Sequence, residues 1–376
     1  MIAHRMTRAA NLVAWCVAAV TCIVPAPAAR AWSTKEHMLL TRLAAIGLIA
    51  DPQTPAEMKA WLREAMPGLG EDVASQRDFV LHARLGPFPR GADGLAFWAV
   101  MPDMQALIDS GTPADRVKKV EPFGVGERQL HFIEVEYFMP DESRRRYRPD
   151  LSNKPKATDI PRDRLDARFQ RAGMLPFRVE QCYRETVASI RAGRLVDKPG
   201  QFPRDEHASK WAGYLAHYAQ DNTQPHHATE DYRSASYFTA NPRGAPNVHA
   251  DMEYRLVDDE LEDYPELRKE FWELLVRALD AQPDPATSED PFDATVEVAL
   301  KSYDALPLIG QAAVAAYGPK GSRQKFDADA FYHFKGSVDG KDMSLLEMKG
   351  RQYAWAVRRT QTLWRKAWVE ATSRSK

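Results

Sequence analysis

Apolar residues recur close to every 3.6 positions over residues 38–49, 58–65, 165–190, 210–218, 256–279, 294–316 and 345–368. No series of alternating segments with hairpin turns interrupts them. Side chains spaced at that period share one face of a helix, so the pattern predicts an all-α protein. One large helical domain over 32–376 is the simplest organisation. Val135, Glu136, Tyr137 and Phe138 read as a short extended piece. Pro/Gly clusters mark loops at 86–93, 111–113, 123–126 and 241–246. The polar, arginine-rich stretch 144–164 reads as a surface loop or insertion. The aspartates of 325–342 do not have the spacing of a calcium-binding EF-hand, so that stretch reads as a solvated turn.

The N-terminus carries a different signal. His4, Arg5 and Arg8 precede an apolar run over 9–24, and Ala29, Arg30 and Ala31 form a small-x-small cleavage site. Residues 1–31 therefore read as a secretory signal peptide, with Trp32 as the first mature residue. The expected destination is secreted or periplasmic. Of the three cysteines, Cys16 and Cys22 fall within this leader. Cys182 then stands alone, no internal disulfide can form, and the residue reads as a buried small apolar group. A net charge of −1 argues against a strongly basic nucleic-acid binder.

Chemistry concentrates in the run HYAQDNTQPHH, residues 217–227. His217 and Asp221 are four apart at the end of a helical segment, so both side chains fall on one face. Pro225 cannot continue the helix and redirects His227. In HADME, His249 and Glu253 repeat the spacing of four. Imidazole and carboxylate at helical spacing supply what a zinc ion takes as ligands. Of ten histidines, His37, His131, His217, His227 and His249 stand in organised contexts. His226 reads as a rim or supporting group, and His82 and His207 as surface or capping residues. His333 sits among aromatics and reads as a packing residue. Glu134 and Glu136 read as supporting or surface carboxylates.

The run HYxxDxxQPxH, followed by HxxxE and preceded by Trp32 and His37, resembles zinc-dependent phospholipase C. That family shares its fold with the single-strand-specific zinc nucleases. The resemblance covers most of residues 32–256. It implies an all-helical exported enzyme with three zinc ions. Trp32 would bind the first through its α-amino group and carbonyl, joined by His37 and by Asp221, which bridges to the second. The second would also take His131, His217 and an upstream aspartate, placed at Asp103 with Asp93 and Asp109 as rivals. The third would take His227, His249 and Glu253.

The implied reaction is phosphodiester hydrolysis by a metal-activated hydroxide, with Asp221 bridging the ions and Asp103 orienting the water as a general base. The closing HxxxE, the absence of a Gly-Gly-Asn segment in 228–248 and the absence of disulfides favour a phospholipid substrate over single-stranded nucleic acid. Tyr232, Tyr237 and Phe238 can pack a head group or stack a base, and so do not discriminate. An exported helical protein that binds zinc without catalysis is the reading from another class. No protein partner is implied.

Overall fold

The computed structural model describes residues 33–82, 94–139, 149, 151–162, 167–198, 200, 206–240, 242–258, 264–321 and 326–373. The expected leader, Trp32, Asp93 and the loop at 86–93 lie outside the described residues, as do the beginning of 144–164 and Leu165.

The chain is mostly helical. The α-helices are α1 (Thr34–Ala50), α2 (Ala56–Ala65), α3 (Arg77–Leu81), α4 (Gly94–Trp98), α5 (Met101–Ser110), α6 (Ala167–Ala172) and α7 (Leu175–Arg191). They continue with α8 (Ala208–Asp221), α9 (Val248–Glu253), α10 (Pro265–Ala281), α11 (Pro291–Tyr303), α12 (Leu306–Tyr317), α13 (Ala328–Tyr332) and α14 (Leu345–Thr372). Local chemistry sets several starts. Ser33 and Glu36 form a capping box on α1, and Ser344 and Glu347 form one on α14. Prolines occupy the first turns of α5, α7, α10, α11 and α12, where the missing N–H costs nothing.

Helix α14 is the hub. It packs on α1, α7, α8 and α10. Its Trp364 Nε1–H donates to the Ala212 carbonyl of α8 at 3.0 Å, and Trp368 stacks on Trp61 of α2 with centroids 5.4 Å apart. Burying large apolar side chains of this kind contributes about 1.5–3 kcal/mol each. Two glycines are needed for close approach. A Cβ on Gly213 of α8 would lie 2.7 Å from the Leu95 carbonyl oxygen, so only glycine lets α4 cross there. Gly173, at φ +100°, ends α6 beneath the Phe132 carbonyl, where a Cβ would come within 2.1 Å.

The differences from the sequence reading have local causes. The helix expected over 165–190 is broken by Gly173 into α6 and α7. The one expected over 294–316 is broken between Tyr303 and Leu306, before Pro307. That expected from 256 starts at Pro265, after a turn through Val257 and Asp258. Val135–Phe138 is a 3-10 turn instead of an extended piece. The stretch 325–342 is not a plain turn. It contains α13 and leads into a hairpin of β1 (Lys335–Val338) and β2 (Lys341–Ser344), with Val338 opposite Lys341. Asp339 and Gly340 both have positive φ, 53° and 72°, as a tight two-residue hairpin requires. Within 144–164, residues 151–162 are tied to the body: Ile160 is buried, and Lys154 Nζ reaches the Leu300 carbonyl at 3.2 Å and Asp304 Oδ1 at 2.5 Å. No helix among the described residues is long and apolar enough to cross a membrane.

Candidate metal centre

Six segments far apart in sequence bring ligand-type side chains to one buried region. Helix α1 supplies His37 and α5 supplies Asp103 from its first turn. A 3-10 turn, Glu127–Leu130, ends on His131. The last turns of α8 carry His217 and Asp221. Pro225 opens the 3-10 turn Pro225–Ala228, which redirects His227. Helix α9 presents His249 and Glu253 on one face. On its other side, Asp251 Oδ2 accepts from Tyr317 Oη–H at 2.6 Å, and the Asp251 carbonyl accepts from Tyr332 at 3.2 Å. Those two bonds set the rotation of α9.

Three groups result: His37, His217 and Asp221; Asp103, His131 and His217; and His227, His249 and Glu253. Within each, the ligand atoms lie within 4.8 Å of one another. His217 belongs to the first two, and Asp221 links them. Its Oδ1 is 3.3 Å from His37 Nε2, and its Oδ2 is 2.9 Å from His131 Nδ1 and 3.2 Å from His217 Nε2. Asp103 stands opposite, 3.6–3.8 Å from the same three rings. In the third group, His227 Nε2 is 3.6 Å from Glu253 Oε1, and His249 Nε2 contacts that same oxygen.

An outer layer aims the rings. His37 Nδ1–H donates to Gln220 Oε1 at 2.7 Å, and Gln220 Nε2 in turn donates to Thr41 at 3.0 Å. His217 Nδ1–H donates to the Ala99 carbonyl at 2.7 Å, and His227 Nδ1–H to the His131 carbonyl at 2.6 Å. In the neutral ring, each of these bonds fixes the tautomer that leaves Nε2 with its lone pair toward the cluster. Gln224 Nε2 donates to Glu253 Oε1 at 2.9 Å. His37 Nε2, Asp103 Oδ2, Asp221 Oδ1, His227 Nε2 and Glu253 Oε2 are buried and make no hydrogen bond. Such atoms cost about 1–3 kcal/mol each when unsatisfied. Converging nitrogen and carboxylate donors with bare lone pairs fit a divalent cation.

The titration behaviour matches that fit. Burial opposes charge on His37, but Asp221 and Asp103 face it and raise its pKa to about 9. His131 is raised too, against burial, chiefly by Asp221. Burial lowers His217, and lowers His249 to about 3. Burial also lifts Glu253 well above the usual carboxylate range. Asp221 is held well below that range: burial opposes its charge, but His217, His131 and His37 overcome it. In the metal-free protein His37 thus carries a proton at neutral pH that ligation must expel. Metal uptake near neutral pH is expected to release protons, and the release from His37 should fade as pH rises through about 9. Calorimetric titration in buffers of different ionisation enthalpy reads this directly. Uptake with no proton release at neutral pH would show that His37 is not a ligand.

A cavity of about 360 Å³ opens over the cluster. Asp103, His131, His227 and His249 line its floor side, with Ala106, Arg128, Glu134, His226, Glu230 and Tyr232 among the other lining residues. Of the three aromatics weighed from sequence, Tyr232 reaches this cavity, whereas Tyr237 and Phe238 are buried in the body. Asp103 joins the cluster. Its rival Asp109 instead accepts from the Glu127 amide at 3.0 Å and so holds the turn that ends on His131. His226 bonds Ser234 and lines the cavity. Glu134 lines it as well. Glu136 is buried against Thr229, and burial raises its pKa to about 7.

His207 is buried rather than on the surface, and caps α8 by accepting from the Lys210 amide at 3.2 Å. His82 is exposed. His333 is not a packing residue. It lies partly exposed, bonded to Asp329 at 2.7 Å and Glu270 at 3.0 Å. Cys182 is buried, and burial pushes its thiol up to about 12, as suits an inert core residue. Gln220, Thr41 and the Ala99 carbonyl were not legible as site groups. The first had a signal, lying beside Asp221 on the ligand-bearing helix; a backbone carbonyl has none. Compared with known proteins, the chain matches no family model, no curated protein and no solved structure.

Proposed function

We propose that this chain is an exported zinc-dependent phosphodiesterase of the phospholipase C type, cleaving the head-group phosphodiester of phospholipids. The observation that carries the reading is the set of three buried ligand groups, two of them sharing His217 and linked by Asp221, with residues of the second and third opening on one cavity. The donors are nitrogen and oxygen without sulfur, a mixture zinc accepts readily. His37 and Asp221 would hold one ion, together with the Trp32 terminus that the sequence resemblance implies. Asp103, His131, His217 and Asp221 would hold a second, and His227, His249 and Glu253 a third.

Bound zinc supplies Lewis acidity, which lowers the pKa of water and offsets charge on phosphate oxygens. Asp103 has a bare Oδ2 and borders the cavity, so it can accept a water proton and aim the water at phosphorus. Arg128, exposed on the cavity wall, offers a guanidinium to a non-bridging phosphate oxygen. Glu134, Glu230 and Tyr232 on the wall suit a cationic head group better than a polyanionic strand.

The deciding experiment assays zinc-loaded protein on a phosphatidylcholine emulsion and on single-stranded DNA, before and after chelation. Release of diacylglycerol that chelation abolishes and zinc restores is the expected result. Nucleotide products without diacylglycerol would assign the site to a nuclease. Full metal content with neither product would make the protein a noncatalytic zinc binder.

A further inference from the structure

Helix α5 carries more than Asp103. Its two charged residues, Asp103 and Asp109, are both buried. Its solvent side presents Met104, 41 % exposed, Ile108, 61 % exposed, and the half-buried Leu107. A helix on a water-facing surface ordinarily turns charge outward and keeps its apolar stripe inside. This one does the reverse, beside the cavity that its own Ala106 lines. Tyr232, on the wall of the same cavity, is 38 % exposed. Met104 and Ile108 are thus large exposed apolar side chains on the helix that carries Asp103 to the metal centre, and Tyr232 is a third at the cavity itself. The segment that follows α5 supplies Arg116, Lys118 and Lys119, all exposed, between the exposed Asp115 and Glu121, which leaves it with a net positive charge.

We propose that this apolar face and its basic flank form a docking surface for an anionic phospholipid membrane, which seats the cavity against the lipid head groups. That the docked lipid is also the substrate rests on the phospholipase reading; the docking does not. Apolar side chains backed by lysine and arginine are the combination that binds the interface of an anionic bilayer. A nucleic acid would engage the basic residues and leave Met104 and Ile108 in water. A second copy of the chain is a poor occupant. The ten-residue helix is about 15 Å long, and its single exposed stripe is small beside the roughly 1,000 Å² that a stable interface needs.

The test compares the zinc-loaded wild type with Met104→Ser/Ile108→Ser and with Lys118→Gln/Lys119→Gln. Binding is read by co-sedimentation with phosphatidylcholine vesicles, with and without phosphatidylglycerol. Hydrolysis of bis-para-nitrophenyl phosphate reads the dissolved-substrate reaction. The serine variant should bind anionic vesicles about tenfold or more weakly with its dissolved-substrate rate unchanged. The glutamine variant should lose the preference for anionic vesicles and the salt sensitivity of binding. Vesicle binding that is absent in the wild type, or equal in the serine variant, would overturn the docking surface while leaving hydrolysis intact. A dimer in gel filtration that the serine variant abolishes would overturn it in favour of self-association. Vesicle binding lost in the variant, with no hydrolysis of any diester by the wild type, would keep the docking surface and remove the phospholipase reading.

Discussion

Asp221→Asn is expected to lower phosphodiester hydrolysis on the order of a thousandfold and to weaken two metal positions at once. Asparagine keeps the shape of the side chain but removes its charge and replaces one lone-pair-bearing oxygen with a donor. Asp221 meets His37 through one oxygen and His131 and His217 through the other, so both oxygens are committed. The amide would also turn N–H groups toward rings whose lone pairs face the same place. His249→Ala touches the third group alone, and should deplete one position while leaving the Asp221 pair filled. Metal content by mass spectrometry, measured beside kcat/KM, separates the two variants. Near-normal turnover with full metal content in Asp221→Asn would refute the shared position.

Lys349→Met is expected to destabilise the fold by about 3–5 kcal/mol. Lys349 lies on α14 with no exposed surface, and its Nζ donates to Glu36 Oε1 at 2.8 Å and to the Met252 carbonyl. Glu36 is equally buried. Removing the ammonium leaves a buried carboxylate without its cation, one residue from His37. The Met252 carbonyl, one residue from Glu253, loses its donor as well. Urea unfolding with chelator present should therefore show the loss, and metal retention should fall with it. Adding Glu36→Gln to Lys349→Met should recover part of the stability, since glutamine still accepts from the Ser33 amide in the capping box without a net charge. A single variant as stable as the wild type would show that the pair contributes little.

The helices were legible because amphipathic periodicity survives without tertiary information: α1, α2, α8 and α14 fall where the spacing puts them. Their breaks were less so. Gly173 splits a periodic stretch because the Phe132 carbonyl passes over it, and that contact belongs to a distant segment. The hairpin had a signal in Asp339-Gly340, but strands of four residues are too short to show alternation. His217 with Asp221, and His249 with Glu253, were readable because helical spacing alone pairs them, and His227 because Pro225 turns it off the first helix. The choice of Asp103 over Asp109 was not, because both lie buried on α5 and only its packing decides which one meets the histidines and which one holds the Glu127 amide. The buried Lys35, Glu36 and Lys349 were invisible for a related reason. Charged residues are nearly always exposed, and only the assembled core reveals these as paired.

The hub position of α14 has a consequence for the order of events in making this protein. Among the described residues it contributes none of the candidate ligands, yet it clamps α1 and braces α9 through one ammonium group, and it follows all of those ligands in the sequence. A nascent chain already holding every histidine of the cluster would still lack the piece that fixes their separation. Metal capture therefore belongs after this helix has been made, and a chain shortened ahead of Lys349 would keep its donors but scatter them.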